Sequence, residues 1–225
     1  MYICMSSLKK YIHNGVLIPI GCFTYYLYTA DYQLPIYMYL KLFSAHYYNT
    51  FKDLYTYPEL YKYKHLVRLT DTGHIANFLY YSNPVLFLPI SHNILFIITI
   101  SFYIGFFAFN LGGTDDICNK EIVGWMQTLH MHLNHILPYG IIVYDSINNK
   151  YSYDSCPFTN DNLFKTYCWL YLWLFCVYIP WRYMTNDPVY SVLDNSTPLY
   201  VKVSIIGCVH IVAYFSNVFG YVLLC

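Results

Sequence analysis

Long stretches without a charged side chain dominate the sequence. No Asp, Glu, Lys or Arg occurs from Thr72 to Thr114, from Ile122 to Tyr144 or from Val203 to Cys225. A helix of about 20 largely apolar residues crosses the hydrocarbon core of a bilayer. The pattern predicts an all-α, multi-pass transmembrane helix bundle that forms a single domain over residues 1–225. About six spans are predicted, near residues 15–30, 65–83, 86–109, 122–144, 163–183 and 201–225.

Polar side chains recur in a helical rhythm within two of these spans. Thr70, His74 and Asn77 are spaced i, i+4 and i+7, so they share one face of the second span. His132 and His135, spaced i and i+3, share a face of the fourth span. Ionisable groups at membrane depth are costly unless they face the bundle interior or water. We therefore expect both faces to point inward and to form a site.

The overall composition agrees with a membrane protein. Hydrophobic residues make up 57% of the chain and charged residues 11%, whereas a soluble domain has about 45–50% and about 25%. Basic and acidic side chains cancel, so no net field favours nucleic acid as a partner. The predicted location is integral to the endoplasmic reticulum or plasma membrane, and the oligomeric state stays open. The distribution of basic residues among the connections weakly favours an N-terminus outside.

The eight cysteines show no CxxC pair and no metal-ligand spacing. Most lie in apolar stretches, where a free cysteine behaves as a small hydrophobic residue. Cys118 and Cys156 are the two that fall in polar connections, so a disulfide between them is one interpretation of the pattern.

The polar faces suggest a specific chemistry. A Thr hydroxyl is a weak nucleophile until a nearby base accepts its proton, and imidazole is the usual base. Thr70 and a histidine of the fourth span would make such a pair for acyl transfer or hydrolysis. In the alternative interpretation, Thr70 back-bonds to its own helix and the histidines satisfy buried carbonyl groups.

Short motifs along most of the chain resemble the androgen-induced-gene family, multi-pass membrane hydrolases that cleave fatty acid esters of hydroxy fatty acids. The order of the motifs follows the order of the spans. The approach to the last span, Thr185 to Asp194, also looks similar. The matching motifs are Leu69-Thr70, His132-x-x-His135 followed by Asp145, Val189-Tyr190-x-x-Leu193-Asp194, and Asn217-x-x-Gly220.

The resemblance implies an intramembrane hydrolase with a lipid substrate and without a cofactor or metal. By the matching positions, Thr70 is the nucleophile and His135 is its base. Pro138 lies closer to His135 than in the family pattern, and a slipped register would move the base to His132. By residue type, the candidates for binding substrate or stabilising an oxyanion are His74, Asn77, Asn134 and Arg182. Arg182, beside Trp181, would otherwise snorkel to the headgroups.

Two other classes of function compete with the hydrolase. A metal-dependent membrane enzyme could use His130, His132 and His135 as ligands, with His74 and His92 from neighbouring spans, although no HxxHH box is present. A non-enzymatic transporter or scaffold could line a polar path with His74, His130 and Arg68. Such proteins often carry inverted repeats, and none is visible in the sequence.

Overall fold

The computed structural model describes residues 56–60, 63–109, 123–149 and 155–225. The span predicted at 15–30 and the side chain of His130 lie outside the described residues. Within the described residues the chain is helical and has no strand. The α-helices are α1 Lys64–Val67, α2 Leu69–Ser82, α3 Pro84–Phe109, α4 Val123–Asn148, α5 Asn160–Trp173, α6 Ile179–Thr185 and α7 Leu199–Leu224. A π-helical segment, Leu174–Tyr178, joins α5 to α6, and a 3₁₀ turn, Ser191–Leu193, precedes α7.

Local sequence explains where several helices begin and end. Pro84 disfavours helical backbone at Asn83, the residue before it. The side-chain oxygen of Asn83 accepts the Leu86 N–H at 3.1 Å at the start of α3. The Thr159 hydroxyl accepts the Asn162 N–H at 3.2 Å and caps α5. Asn186 ends α6 in the left-handed region with φ 56°, a conformation that Asn tolerates better than most residues.

Three helical segments are long and apolar enough to cross a membrane. They are Pro84–Gly105 in α3, Asn160–Thr185 from α5 through α6, and Leu199–Leu224 in α7. These segments confirm membrane-length helices at the predicted positions 86–109, 163–183 and 201–225. The full set of six spans is not found among the described residues.

The other two predicted spans within the described residues differ from expectation. The segment predicted at 65–83 is broken at Arg68, whose ψ of 141° is extended, and α2 has only 14 residues, short of the roughly 20 that a span needs. The segment predicted at 122–144 does form a long helix, α4. Because of its His and Asn side chains, α4 is not among the three segments apolar enough to cross a membrane.

The chain divides into two compact units. The first unit comprises Met1–His65 and Ser101–Leu137, and the second comprises Leu66–Ile100 and Pro138–Cys225. The division passes through α3 and α4. Each unit is described by itself below.

The core of the second unit is apolar and brings its helices into close contact. Buried members include Ala76 of α2, Ile94 of α3, Ile142 of α4, Leu170 of α5 and Ala213 of α7. Gly73 allows α2 to approach α3 closely, because a Cβ there would meet Ile94 and Leu95 side chains at 3.2 Å and Ile98 closer still.

A disulfide joins the connection before α5 to the end of α7. Its partners are Cys156 and Cys225, with Cα atoms 5.4 Å apart. The interpretation of a Cys118–Cys156 bond is therefore wrong, because Cys156 is bonded elsewhere. Next to this bond, the Phe158 ring packs on Gly220, where the absence of a side chain leaves room for it. Cys225 lies in an apolar stretch, and its proximity to Cys156 depends on how α7 packs.

Candidate active site

The polar residues of α2 lie on the inward face of that helix. Thr70, His74 and Asn77 are 6%, 0% and 3% exposed, whereas Ile75 and Phe78 on the opposite face are exposed. The i, i+4, i+7 spacing thus places all three predicted residues inside the second unit. The side-chain oxygen of Asn77 is buried and accepts no hydrogen bond from any residue that the structure describes, so it is suited to accept one from a substrate hydroxyl.

Two side chains from distant parts of the sequence hold the start of α2. The Leu69 N–H donates to the hydroxyl of Tyr190 at 2.8 Å. The indole N–H of Trp173 donates to the Val67 carbonyl at 2.7 Å. The helix is interrupted at Arg68, so the Val67 carbonyl and the Leu69 N–H have no partner within a helix. These two contacts supply the missing partners. They also set the position of Thr70 in the first turn of α2.

The connection from α6 to α7 has a specific conformation that presents Tyr190. Asn186 and Val189 both have positive φ, 56° and 60°, and a β-branched residue in that region is strained. The Asp187 carboxylate accepts the Val189 N–H at 2.9 Å. The Tyr178 hydroxyl donates to the Pro188 carbonyl at 3.0 Å. Together these bonds hold the strained segment in place.

Arg182 and Asp194 fasten the same connection. The guanidinium lies 3.2 Å from the Asp194 carboxylate and also donates to the Asn186 carbonyl. The pKa of Asp194 is lowered, first because the Asn195 N–H donates to its carboxylate. Arg182, predicted as a substrate-binding residue, is thus engaged in shaping the connection.

Tyr190 itself is a neutral phenol over the physiological range. Burial raises its pKa to about 12, while the positive charge of Arg68 and the hydrogen bond from Leu69 act in the opposite direction. The carboxylate of Asp71 also raises that pKa. The hydroxyl therefore keeps its proton beside the first turn of α2.

The predicted histidines of α4 belong to the first unit, where aromatic residues of α3 hold them. The His135 ring stacks on Phe102 with centroids 3.9 Å apart, and its Nδ1 hydrogen-bonds the Met131 carbonyl. His132 Nδ1 lies 3.1 Å from the Tyr103 hydroxyl. Asn134 between them is half-buried. Because a carbonyl oxygen only accepts, Nδ1 of His135 carries a proton, and Nε2 is the basic nitrogen of the neutral ring.

A buried polar network in the second unit was not predicted as a site. Asn93 of α3 donates to the Thr166 hydroxyl at 3.1 Å and to the Asn217 side-chain oxygen at 3.3 Å. His92 lies 3.2 Å from both the Tyr139 and the Ser216 hydroxyls. The network links α3, α4, α5 and α7. Its signal in the sequence was the run of three polar residues, from Ser91 to Asn93, within the most apolar span.

Asp145, the acidic residue of the second motif, lies near the end of α4 in the second unit. Its carboxylate accepts a hydrogen bond from Tyr80 of α2 and one from the Asn149 side chain at 3.0 Å. It therefore links α4 to α2. Within residues 56–60, 63–109, 123–149 and 155–225, no three His, Cys, Asp or Glu side chains cluster as metal ligands would.

Comparisons of the chain with protein-family models, with curated proteins and with solved structures find no match.

Proposed function

We propose that the protein is a multi-pass integral membrane hydrolase of lipid esters, such as fatty acid esters of hydroxy fatty acids. Thr70 is the nucleophile and His135 is the base, as the family resemblance implies. The three apolar helices supply spans, and the predicted spans near residues 15–30, 65–83 (α1 together with α2) and 122–144 would complete a bundle of about six.

The contact between Tyr190 and the backbone of Leu69 carries this proposal. Leu69-Thr70 and Val189-Tyr190 belong to two of the motifs on which the resemblance rests, and they are far apart in the sequence. In the second unit they meet through a 2.8 Å hydrogen bond. If both motifs contribute to one active site, they must lie side by side, and here they do so next to the buried Thr70.

The hydrogen bonds of the histidines favour His135 over His132 as the base. The Met131 carbonyl requires a proton on Nδ1 of His135, which leaves Nε2 basic. The Tyr103 hydroxyl beside His132 both donates and accepts, so it does not select a tautomer. Thr70 and His135 belong to different units. Their roles as nucleophile and base are therefore proposed from the family resemblance and from the proton on Nδ1 of His135.

The chemistry of the pair is a two-step acyl transfer. The Thr70 hydroxyl oxygen bonds to the ester carbonyl carbon while its proton passes to His135. The alkoxide leaving group then takes that proton and departs as an alcohol, which leaves an acyl-threonine ester. Water, deprotonated by the same histidine, releases the fatty acid and restores the hydroxyl.

The disulfide supports a membrane of the secretory pathway. Disulfides persist where one side of the membrane faces an oxidising space. The bond between Cys156 and Cys225 fits the endoplasmic reticulum or the plasma membrane, where one face of the bundle meets such a space.

Labelling of the purified protein with a fluorophosphonate, together with hydrolysis of a fatty acid ester of a hydroxy fatty acid, tests the proposal. We expect Thr70→Ala and His135→Ala to lower both signals by about a thousandfold or more, and Thr70→Ser to retain a large part. Thr99→Ala is the matched control, since the Thr99 hydroxyl donates to its own helix at Leu95. Labelling that survives Thr70→Ala removes Thr70 from the mechanism.

A further inference from the structure

We propose that the hydroxyl of Tyr190 donates a hydrogen bond to the oxyanion formed when Thr70 attacks the ester carbonyl. This role rests on the proposed function and deepens it by naming the donor that the reaction requires. The Tyr190 hydroxyl replaces Asn77 and Asn134, which residue type alone suggested for this role.

The position of the hydroxyl comes from its contact with α2. The Tyr190 oxygen accepts the N–H of Leu69 at 2.8 Å, and Leu69 is covalently joined to Thr70. Successive residues of a helix rise by only about 1.5 Å, so the hydroxyl lies beside the turn that carries the nucleophile. An oxyanion donor must lie in this neighbourhood, because the attacked carbonyl is bonded to the threonine oxygen.

The hydroxyl also has a proton to give. A phenol has one O–H and two lone pairs, and the Leu69 contact uses a lone pair. No acceptor for the Tyr190 O–H is found among the residues that the structure describes. Because burial raises the pKa of this phenol to about 12, that proton is present at working pH. A neutral, buried phenol of this kind is a known type of oxyanion donor.

Two positive features near the hydroxyl favour an anion there. The N-terminus of α2, a 14-residue helix, carries the positive end of the helix dipole. The positive charge of Arg68 also acts on the hydroxyl, and the carboxylate of Asp71 opposes it. Tyr178 is the remaining titratable group that acts on it.

The connection holds Tyr190 directly after a residue in a strained backbone conformation. Val189, directly before it, has φ 60°, which is a strained backbone conformation for a β-branched residue. Bonds from Tyr178 to Pro188 and from Asp187 to Val189 keep that geometry. Strain that is held in place beside a nucleophile is typical of a catalytic position.

The step moves no proton onto or off the tyrosine. As the Thr70 oxygen bonds to the carbonyl carbon, the carbonyl π electrons move to the oxygen. The Tyr190 O–H donates to that oxygen until the C–O bond to the alcohol breaks and the carbonyl reforms.

Replacing the tyrosine by phenylalanine tests the role directly. We expect Tyr190→Phe to lower kcat by about 10²–10³-fold with KM within about threefold, and to slow fluorophosphonate labelling in proportion. During labelling, the phosphonyl oxygen takes the position of the ester oxyanion. A hydrogen-bond donor at that position therefore accelerates both labelling and ester hydrolysis. Tyr183→Phe is the control, because Tyr183 is exposed, and it should leave both rates unchanged.

A fluorinated tyrosine at position 190 separates donation from a structural role. Its hydroxyl keeps the contact with Leu69 but has a lower pKa, and the phenolate cannot donate. We expect the alkaline limb of the kcat profile to move to lower pH by the difference in phenol pKa. A profile that stays where it was overturns the role even if Tyr190→Phe unfolds.

The outcomes for Thr70 and Tyr190 are distinguishable. Activity lost in Thr70→Ala but intact in Tyr190→Phe overturns the oxyanion role and leaves the hydrolase standing. Hydrolysis that is absent from the wild type, or intact in Thr70→Ala, overturns the proposed function and the role of Tyr190 with it.

Discussion

At the scale of single residues, a glycine and a tyrosine position the start of α2. Gly73, three residues after Thr70, lies against Ile94 and Leu95 of α3 with no room for a methyl group. Tyr190 fixes the backbone directly before Thr70. The two contacts fix the backbone on either side of Thr70, and the proposed nucleophile requires such positioning.

Gly73→Ala should destabilise the protein by about 1–3 kcal/mol, because the added methyl overpacks the contact between α2 and α3. Thermal unfolding of the purified protein in detergent measures the effect. Gly207→Ala is the matched control, since a Cβ there meets nothing within 4 Å, and alanine favours a helix over glycine. An unchanged transition temperature for Gly73→Ala would show that the side chains of α3 shift to accommodate the methyl group.

The sequence predicted part of the site and missed the rest for a physical reason. Helical periodicity was enough to place Thr70, His74 and Asn77 on one buried face, because the spacing acts within a single helix. The contact of Tyr190 with Leu69 spans 121 positions and depends on a positive φ at Val189. No local pattern encodes that conformation, and valine is a residue that rarely adopts it.

At the scale of elements, buried polar residues specify how the apolar helices pack. In a bilayer an apolar helix gains little from burying one apolar face rather than another, because lipid tails are as apolar as a protein core. Asn93, His92 and Ser216 supply a preference, because their hydrogen bonds form in one arrangement of α3, α4, α5 and α7.

Asn93→Leu should lower the free energy of unfolding by about 1–2 kcal/mol, since it leaves the hydroxyl of Thr166 and the amide of Asn217 without this partner. Denaturation in mixed micelles measures it. Ser204→Ala is the comparison, because the Ser204 hydroxyl donates to the Tyr200 carbonyl of its own helix. Equal stability of the two variants would mean that the network contributes nothing to packing.

The sequence predicts a helix boundary where neighbouring residues determine it, and fails where the boundary depends on distant residues. Pro84 ends α2 as a proline should, and Thr159 caps α5. The break at Arg68 had no local signal, because it depends on the Trp173 indole, which binds the Val67 carbonyl. The π-helical segment Leu174–Tyr178 likewise carries no sequence pattern that would distinguish it from an α-helix.

At the scale of the whole molecule, the second unit has two chemically different ends. The disulfide and the start of α5 lie at one end. Three basic residues, Arg68, Arg182 and Lys202, lie at the other end, next to the 186–198 connection, against one, Lys165, near the start of α5. Disulfides persist in oxidising spaces, and basic residues concentrate on the cytoplasmic side. For the proposed membrane protein, both rules predict the same orientation, with the connection and Thr70 toward the cytosol.

Cysteine labelling from one side measures this orientation. We expect Asn195→Cys to react with a membrane-impermeant maleimide in cells whose plasma membrane alone is permeabilised. Asn160→Cys should react only after detergent opens every membrane, and both positions are exposed in the structure. Wild type gives the background from the native cysteines, of which Cys168, Cys176 and Cys208 are free and exposed in the part of the chain that the structure describes. The reverse order of reactivity would invert the orientation.

The Cys156–Cys225 bond also closes a covalent ring that contains α5, α6 and α7. A protease that cuts the exposed part of the 186–198 connection would open that ring without dividing the molecule. The two pieces would migrate together on a gel until a reductant separates them. A nicked protein could thus keep α7 paired with α5 and retain Tyr190 on one of the cut ends.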